Sequence, residues 1–403
     1  MIAGTLDTAA ILQALRSVLP ARDGVLSLHE PTFRGREWDC LKECLDSGWV
    51  SSVGAFVDRF EQQLAVVTGV QRAVACVNGT AALHAALMLC DVGRDDEVLV
   101  PTLTFVATAN AVAYLGAVPH FVDSEARTLG VDPIRLSEYL TEVAMVRGGI
   151  CTNRRTGRRI RAIVPVHVLG HPVDLDPLVE LCVRYHLPMV EDATESLGST
   201  YKGRPTGAFG RLGVLSFNGN KIITTGGGGA ILTDDEELGR RAKHLTTTAK
   251  VPHPFAFFHD QVGFNYRLPN LNAALGCAQL EQLSGFVEAK RALAARYQAA
   301  LRDLYGVSFL HEPPFARSNY WLSALLLDER HAGERDRLLE AASQQGLQTR
   351  PLWTPMHRLP MYRDCPRMDL SVAEDLERRL ICVPSSASLA AEGPTPGAAH
   401  APA

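Results

Sequence analysis

Seven short apolar runs, rich in β-branched residues, recur along the first part of the chain. They cover residues 73–77, 97–101, 119–123, 161–167, 188–193, 213–217 and 228–233. Helical patterns lie between several of these runs, over residues 80–90, 104–115 and 174–186. Strands that alternate with helices form a mostly parallel sheet with helices on both faces, because each parallel connection has to cross the sheet. The sequence therefore predicts the α/β class.

The size and charge of the chain narrow its class further. Its 403 residues exceed what one hydrophobic core usually covers, so we expect a large domain and a smaller one. No apolar run reaches the length of about 18 residues that a membrane span needs. A net charge of −4 gives no general attraction to nucleic acid, and the arginine-rich stretch 154–161 is typical of a solvated hairpin turn. We expect neither a membrane nor a nucleic-acid partner.

The cysteines indicate a reducing compartment and predict a cytoplasmic protein. There are nine of them, they are scattered, and several lie in apolar runs. An odd number of scattered thiols does not form a disulfide framework. Because no C-x-x-C pair occurs, a zinc or iron–sulfur site has little support, and we predict no metal.

One turn carries residues suited to covalent chemistry. Ser216 ends an apolar run, Lys221 lies in the polar turn after it, and four glycines follow at 226–229. A lysine can form an imine with an aldehyde cofactor. The run 188–193 also ends in two acids, at the edge where open α/β sheets bind ligands. Pyridoxal phosphate needs a lysine for its aldehyde and an acid beside its ring nitrogen, and Asp192 is the candidate acid.

These residues lie in motifs that resemble those of the DegT/StrS-type nucleotide-sugar aminotransferases, which depend on pyridoxal phosphate. The motifs are EDATESLGS at 191–199, SFNGNK at 216–221 and GFNYR at 263–267. The resemblance runs from about residue 25 to about residue 390. It implies fold type I, with a seven-stranded, mostly parallel sheet in the large domain and a smaller C-terminal α+β domain.

The resemblance and the residue patterns together divide the chain into four parts. We predict an N-terminal helical extension over 1–24, with an amphipathic helix at 5–19, and a large cofactor-binding domain over 25–270. The small domain would cover 271–390 and begin with a long helix over 271–305. The remainder, 391–403, is rich in alanine and proline and is predicted to be disordered.

The resemblance implies how the cofactor is held. Gly79 and Thr80 would bind its phosphate at the start of a helix, and Ser216 would donate a further hydrogen bond. Phe105 would stack on the ring. Glu195 would lie near the phenolic oxygen, where many relatives carry glutamine or histidine. Without the resemblance, Thr80 is better read as a helix N-cap and Phe105 as a core residue.

Three further residues are implied to complete the site. Asn265 would reach the phosphate in a partner subunit, so that a homodimer shares its active sites. Arg350 and His357 would lie near the substrate, and the arginine could bind a carboxylate or a diphosphate. The alternatives are a polar loop residue for Asn265 and a surface ion pair for Arg350. His167, at the end of a strand, is interpreted as a structural histidine.

The function implied is ping-pong transamination catalysed by Lys221 and Asp192. L-Glutamate would give its amino group to the cofactor, and a nucleotide-linked keto-sugar would receive it. The motifs LHEPTF at 28–33, SGWVSSVG at 47–54 and FVDRFE at 56–61 most resemble the branch that aminates C4 of nucleotide-linked 2-acetamido-4-keto-6-deoxyhexoses for legionaminic acid. The alternatives are a sugar dehydratase of the same family and a catalytically degenerate regulatory relative. The retained Lys221 argues against both.

Overall fold

The structure is a computed structural model that describes residues 6–21 and 24–391. Its α-helices, α1 to α13 in chain order, are Thr8–Val18, Glu37–Ser47, Ala55–Thr68, Gly79–Leu89, Val106–Tyr114, Pro133–Val143, Leu175–Tyr185, Glu236–Thr246, Asn270–Leu280, Leu283–Leu301, Arg335–Gln344, Ser371–Arg379 and Ser388–Ala391. Its strands, β1 to β18, are Arg72–Cys76, Glu97–Pro101, Val118–Val122, Ala144–Arg147, Ile150–Asn153, Ile160–Ile163, Val190–Asp192, Thr200–Tyr201, Arg204–Pro205, Leu212–Ser216, Gly229–Thr233, Lys250–Val251, Phe258–His259, Val307–Phe309, Ala316–Arg317, Ser323–Leu327, Arg350–Pro351 and Leu380–Val383. Short 3-10 helices cover Val168–Gly170, Glu329–Glu334, Met356–Arg358 and Pro360–Tyr362.

Each of the seven predicted apolar runs overlaps a strand of the central layer. One hydrogen-bonded group has the order β1-β11-β10-β7 and another has the order β3-β2-β6. Two parallel bridges, Ile163–Met189 and Val166–Asp192, link β6 to β7 and so join the groups. Only β11 runs antiparallel to its neighbours within this layer. The α/β class and the mostly parallel arrangement are confirmed.

Strands β6 and β7 are shorter than the runs that predicted them, because two prolines interrupt the ladder between them. Pro165 and Pro188 have no amide hydrogen to donate. Their carbonyls still accept, from the Asp192 amide at 2.9 Å and from the Ile163 amide at 3.1 Å. The pairing therefore continues as single bridges rather than as a regular ladder.

Alternate residues of the strands pack into two cores, one on each face of the layer. In β1, Val74 and Cys76 join a core with residues of α4, α5 and α8. Ala73 and Ala75 point the other way, into a core with residues of α3 and α9. This two-residue period follows from the pleat of a strand. It fixes which side chains at the strand ends can face a ligand.

The C-terminal part of the chain builds a second sheet. Strands β14, β16, β18 and β17 pair antiparallel in that order. Helices α1 and α10 cover one face, where Ile11 and Leu15 pack with Leu293 and Tyr297. Helix α1 lies within the predicted helix at 5–19, although residue 5 is outside the described residues. The predicted domain boundaries at 24, 270 and 390 stay predictions, and residues 392–403 of the predicted tail also lie outside the described part.

The long helix predicted over 271–305 is wrong in one respect, because it is two helices. Helix α9 ends at Leu280 and α10 begins at Leu283. At the break, the Gln282 side chain donates to the carboxylate of Glu37 at 2.6 Å. Glu37 also accepts from Gln279 of α9 at 2.6 Å. The turn between the two helices thus contacts Glu37, a distant residue that the helical periodicity of the sequence does not reveal.

The arginine-rich stretch is a turn, and several of its charges form ion pairs within the chain. The Gly157 amide donates to the Asn153 carbonyl at 2.8 Å. Arg159 pairs with Asp96 at 3.0 Å and Arg161 pairs with Asp91 at 2.8 Å. All nine cysteines are free thiols. Among the described residues no helix combines the length and apolar character that crossing a membrane requires.

Candidate active site

A cavity of about 360 Å³ lies at the carboxyl edge of the central layer. Strands β7 and β10 end there at Asp192 and Ser216, and the turn after β1 leads there into α4. Seven predicted cofactor residues line this first cavity: Gly79, Thr80, Phe105, Asp192, Glu195, Ser216 and Lys221. The fold thus brings together residues from four separate segments of the sequence.

One end of the first cavity is built as an anion site. Helix α4 begins at Gly79, and Asn78 rather than Thr80 is its N-cap, accepting from the Ala81 amide at 2.8 Å. The Thr80 hydroxyl is therefore not used as the cap. A Cβ on Gly79 would lie 3.0 Å from the Ser216 Cβ, so glycine is what lets the helix start approach Ser216. Backbone amides and a positive dipole end at this point favour a phosphate.

Gly229, the last of the four glycines after Lys221, brings the anion site against the sheet. It pairs with Cys76 of β1 and with Ser216 of β10. A Cβ at this position would lie 2.6 Å from the Gly79 nitrogen. The missing side chain of Gly229 thus lets strand β11 approach the turn before α4.

The two acids that end β7 point in opposite directions. The Glu191 carboxylate accepts from the Gly207 amide at 2.8 Å and from the Gly210 amide at 2.6 Å, so it holds a loop. Asp192 faces the cavity, where its Oδ2 accepts from the Thr108 hydroxyl at 2.8 Å. Both acids are buried. The strand pleat therefore leaves Asp192 as the acid available to a ligand.

His167 is interpreted correctly as a structural residue. Its ring is fully buried, and its Nε2 lies 3.1 Å from the carboxylate of Glu191. Its Nδ1 accepts from the Val173 amide at 3.2 Å. Both ring nitrogens are thus used within the chain, and the ring lies outside the lining of the first cavity.

Lys221 and Glu195 face each other across the first cavity. The Lys221 Nζ lies 3.6 Å from the Glu195 Oε1. Burial lowers the pKa of Lys221, while the charges of Glu195 and Asp192 act in the opposite direction. Burial raises the pKa of Glu195 to about 7, although Lys221 and the Leu169 amide favour its charged form. Both groups are thus shifted towards their neutral forms, which brings their proton affinities closer together.

Aromatic rings form the remaining walls of the first cavity. Phe105 is 53% exposed, so it is not the core residue that its apolar surroundings would indicate. Trp353 lies 6.5 Å from it between ring centroids. The Lys221 Nζ lies 4.0 Å from the centre of the Trp321 ring. The sequence analysis named neither tryptophan, although Trp353 lies three residues after the predicted substrate residue Arg350.

Two predicted residues lie away from the first cavity of this chain. Asn265 is exposed, and its side-chain oxygen accepts from Arg267 at 3.0 Å. His357 is buried, with Nδ1 2.7 Å from the Thr102 hydroxyl and Nε2 2.8 Å from the carboxylate of Glu374. Both ring nitrogens of His357 thus have partners within the chain, so this histidine has a structural role.

Arg350 lines a second cavity of about 390 Å³ beside the first one. The two cavities share Asn220, Trp321 and Trp353 in their linings. The second cavity also contains His29, from the segment before α2. The predicted substrate residue and the predicted cofactor residues therefore occupy neighbouring spaces.

The residues around the first cavity fit pyridoxal phosphate. They supply an anion site at a helix start, an amine for the aldehyde, an acid and an aromatic face. Each of these groups matches one part of the cofactor. Across residues 6–21 and 24–391, no three histidine, cysteine or acidic side chains converge as a metal site would need.

Comparison with known proteins agrees with this chemistry. Residues 31–394 match the DegT/DnrJ/EryC1/StrS aminotransferase family. EpsN of Bacillus subtilis (strain 168), assigned as a pyridoxal phosphate-dependent aminotransferase, is 40% identical over 366 residues, which cover 90% of this chain and 91% of EpsN. GDP-perosamine synthase of Caulobacter vibrioides is 37% identical over 350 residues, which cover 87% of this chain and 90% of that protein.

A solved structure gives the same result for the fold. The crystal structure of the aminotransferase TlmJ from Streptoalloteichus hindustanus matches with a TM-score of 0.82 at 28% identity, covering 92% of this chain and 98% of that chain. The family match and the structural match both span nearly the whole chain. The chain therefore belongs to the DegT/DnrJ/EryC1/StrS family and is a pyridoxal phosphate-dependent aminotransferase of fold type I.

Proposed function

We propose that this aminotransferase moves the amino group of L-glutamate to C4 of a nucleotide-linked 2-acetamido-4-keto-6-deoxy sugar of the legionaminic-acid type. The observation that carries the proposal is the Lys221 amine, held beside Glu195 and Asp192 in a cavity with an anion site. Relatives named GDP-perosamine synthase, at 34–37% identity, support a nucleotide-linked sugar as the acceptor.

In this proposal the chain holds the cofactor at both ends. The start of α4, together with Thr80 and Ser216, binds the phosphate through amide and hydroxyl donors. Phe105 covers one face of the ring, and Asp192 keeps a proton on the ring nitrogen. Bound pyridoxal phosphate supplies an aldehyde that receives the amino group and a ring that takes up electrons when the donor Cα loses its proton.

Lys221 is the proposed acid and base. Burial lowers the pKa of its amine, so a larger share of the amine is uncharged at neutral pH than for an ordinary lysine. An uncharged amine can take the proton from the donor Cα and return it to the next carbon. Glu195 lies within reach of the same amine and has a pKa raised to about 7, so it can hold that proton between steps.

A second copy of the chain is proposed to complete each active site. Asn265 lies outside the first cavity of its own chain, on the segment that follows the β12–β13 hairpin. Nearby, Phe255, Phe257 and Val262 are 91%, 84% and 81% exposed. Exposed apolar side chains in such a group favour a protein contact. A partner seated there would bury them and receive Asn265 at its own phosphate site.

The proposal is tested by following the nitrogen. The holoenzyme is incubated with L-glutamate carrying heavy nitrogen and with a panel of UDP-, GDP- and dTDP-linked 4-keto-6-deoxy sugars, with and without a 2-acetamido group. We expect mass spectrometry to show one heavy nitrogen in a 2-acetamido product, and NMR to place it at C4. A product that has lost water without gaining nitrogen would instead identify a dehydratase.

A further inference from the structure

His29 lines the second cavity with hydrogen-bonding atoms that the protein does not use. Both of its ring nitrogens are buried, and neither has a hydrogen-bond partner among the described residues. Burial lowers the pKa of His29, and the charges of Lys290 and Lys221 lower it further, so the ring is neutral. Buried polar groups are nearly always paired. A neutral imidazole at this place can donate one hydrogen bond and accept another.

The charge of the second cavity comes from one residue. Arg350 lies on strand β17 and its side chain is exposed. Within the described part of the chain, no ion pair joins Arg350 to a carboxylate, and no acidic side chain lines the second cavity. The rest of the lining is apolar, aromatic, thiol or amide. A cation with five donors beside a neutral imidazole is suited to a carboxylate.

The second cavity shares part of its lining with the cavity that contains the reacting lysine. Asn220, which precedes Lys221, lines both cavities. The indole nitrogen of Trp321 donates to the Asn220 carbonyl at 2.7 Å, and the same ring faces the Lys221 amine. Trp321 therefore borders both cavities and fixes the turn that carries Lys221. A molecule lying in the second cavity can present its other end to Lys221.

Arg350 lines only the second cavity, whereas the reacting amine of Lys221 and the acids Glu195 and Asp192 line the first. A donor whose amino group is at Lys221 would therefore reach Arg350 with a distant group rather than with the carboxylate beside its Cα. For L-glutamate that distant group is the side-chain carboxylate.

We propose that the second cavity is the amino-donor pocket, in which Arg350 and His29 bind the side-chain carboxylate of an acidic amino acid. This assignment rests on the proposed transfer from L-glutamate and explains why the donor would be acidic. Arg350 supplies the opposite charge and a pair of parallel donors. His29 supplies one further N–H to the same carboxylate, so the pocket selects a ligand group that accepts hydrogen bonds. The other residues that line the second cavity are mostly apolar. They exclude water and so strengthen the hydrogen bonds from Arg350 and His29.

Binding and donor choice test the pocket separately. Glutarate, which has two carboxylates and no amino group, is titrated into the holoenzyme by calorimetry, with Trp321 and Trp353 as fluorescent reporters. The variants are Arg350→Gln, Arg350→Lys and His29→Leu, and Arg302→Gln is the matched surface control. We expect Arg350→Gln and His29→Leu to weaken glutarate about 10- to 100-fold, since bonds to charged groups are the strong ones. Arg350→Lys should restore part of the affinity, and Arg302→Gln should change nothing.

The donor half-reaction gives the second readout. With Arg350→Gln, kcat/KM for L-glutamate should fall by the same factor, while L-glutamine and L-norvaline should change less than about twofold. Unchanged glutarate binding in both the Arg350→Gln and His29→Leu variants would overturn the pocket. Weakened UDP or GDP binding with intact glutarate binding would assign the cation to the sugar diphosphate and also overturn it. Glutarate binding through Arg350 without amino transfer from L-glutamate would keep the pocket and reject the proposed donor.

Discussion

The Lys221 amine lies 3.6 Å from the Glu195 carboxylate, and both side chains are nearly buried, at 12% and 4% exposure. The short separation favours the charged pair, whereas burial favours the neutral forms of both groups. Burial dominates for each of them, since the pKa of Lys221 is lowered and that of Glu195 is raised. The protein thus holds an amine and an acid whose proton affinities approach each other, as proton transfer requires.

This pair predicts a pH dependence of stability in the cofactor-free protein. The pKa of Glu195 rises from 4.5 to about 7 on folding, so between these values the folded state binds more protons than the unfolded state. The free energy of unfolding should therefore fall as the pH rises through this window, by at most about 3 kcal/mol from this group. Urea unfolding at a series of pH values should show a flatter profile for Glu195→Gln. Parallel profiles for the two proteins would contradict the raised pKa.

Replacing Lys221 with alanine should abolish turnover and leave the fold intact. The buried amine is unfavourable for folding, so the free energy of unfolding of the Lys221→Ala variant should not decrease. Cofactor should still be retained without a covalent bond, as measured by absorbance after gel filtration. Lys202→Ala is the matched control, because Lys202 is an exposed lysine paired with Asp176. Turnover above a trace in Lys221→Ala would place the chemistry on another lysine.

Replacing Asp192 with asparagine should keep the shape and remove the charge. We expect a loss of about 3–4 kcal/mol of transition-state stabilisation, the size seen when one electrostatic group is removed from an active site. Thr108→Val, which removes the 2.8 Å hydrogen bond to Asp192, should lose about 1 kcal/mol. Single-turnover rates with L-glutamate measure the loss in each of the two variants. Near-native rates for Asp192→Asn would show that another group protonates the ring nitrogen.

The contact between Gly79 and Ser216 predicts a cofactor-retention defect in Gly79→Ala. The added methyl would lie 3.0 Å from the Ser216 Cβ and 3.2 Å from the Thr194 Cγ2, so the helix start has to shift. We expect a stability loss of about 1–3 kcal/mol and weaker retention of pyridoxal phosphate in dialysis. Gly285→Ala is the control, since nothing lies within 4 Å of the added Cβ and the helix gains a better former. Native cofactor retention in Gly79→Ala would contradict the anion site.

Mixing an Asn265→Ala chain with a Lys221→Ala chain tests whether two subunits share each active site. An Asn265→Ala chain keeps its own Lys221 and would borrow an intact Asn265 from a Lys221→Ala partner. The other site of the same heterodimer would lack Lys221 and would also lack the asparagine side chain at position 265. After subunit exchange, activity should therefore exceed that of either parent, provided that Asn265→Ala alone is impaired. If exchange is confirmed by mass spectrometry and activity stays at the weighted mean of the parents, Asn265 does not act across the interface.

The strand positions were accessible from the sequence because local apolar patterns encode them, whereas the cofactor residues stay predictions that rest largely on the family resemblance. The apolar runs located all seven strands. The sequence named Asp192 as the candidate acid, but only the structure shows that Glu191 is turned away to hold a loop. Strand direction was not accessible, since the apolar run of β11 reads the same in either direction. Only its pairing with β1 and β10 shows that it is antiparallel.

The aromatic walls and the second cavity could not be predicted, because distant contacts place them. Trp321 is held by its bond to the Asn220 carbonyl and by Lys290, whose amine donates to the Trp321 carbonyl at 3.1 Å. His29 is an unmarked residue of an irregular segment, and it becomes notable only when its ring is found buried without a partner. Neither arrangement leaves a periodic signal in the sequence.

The central claim is that Lys221 carries the cofactor in the first cavity. The most direct measurement is borohydride reduction of the holoenzyme, followed by digestion and peptide mass spectrometry. Reduction fixes the pyridoxyl group on the amine that holds it. We predict one labelled peptide, with the label on Lys221 and none on Lys202 or Lys243. A label on another lysine, or no label in protein that retains the cofactor, would contradict the account.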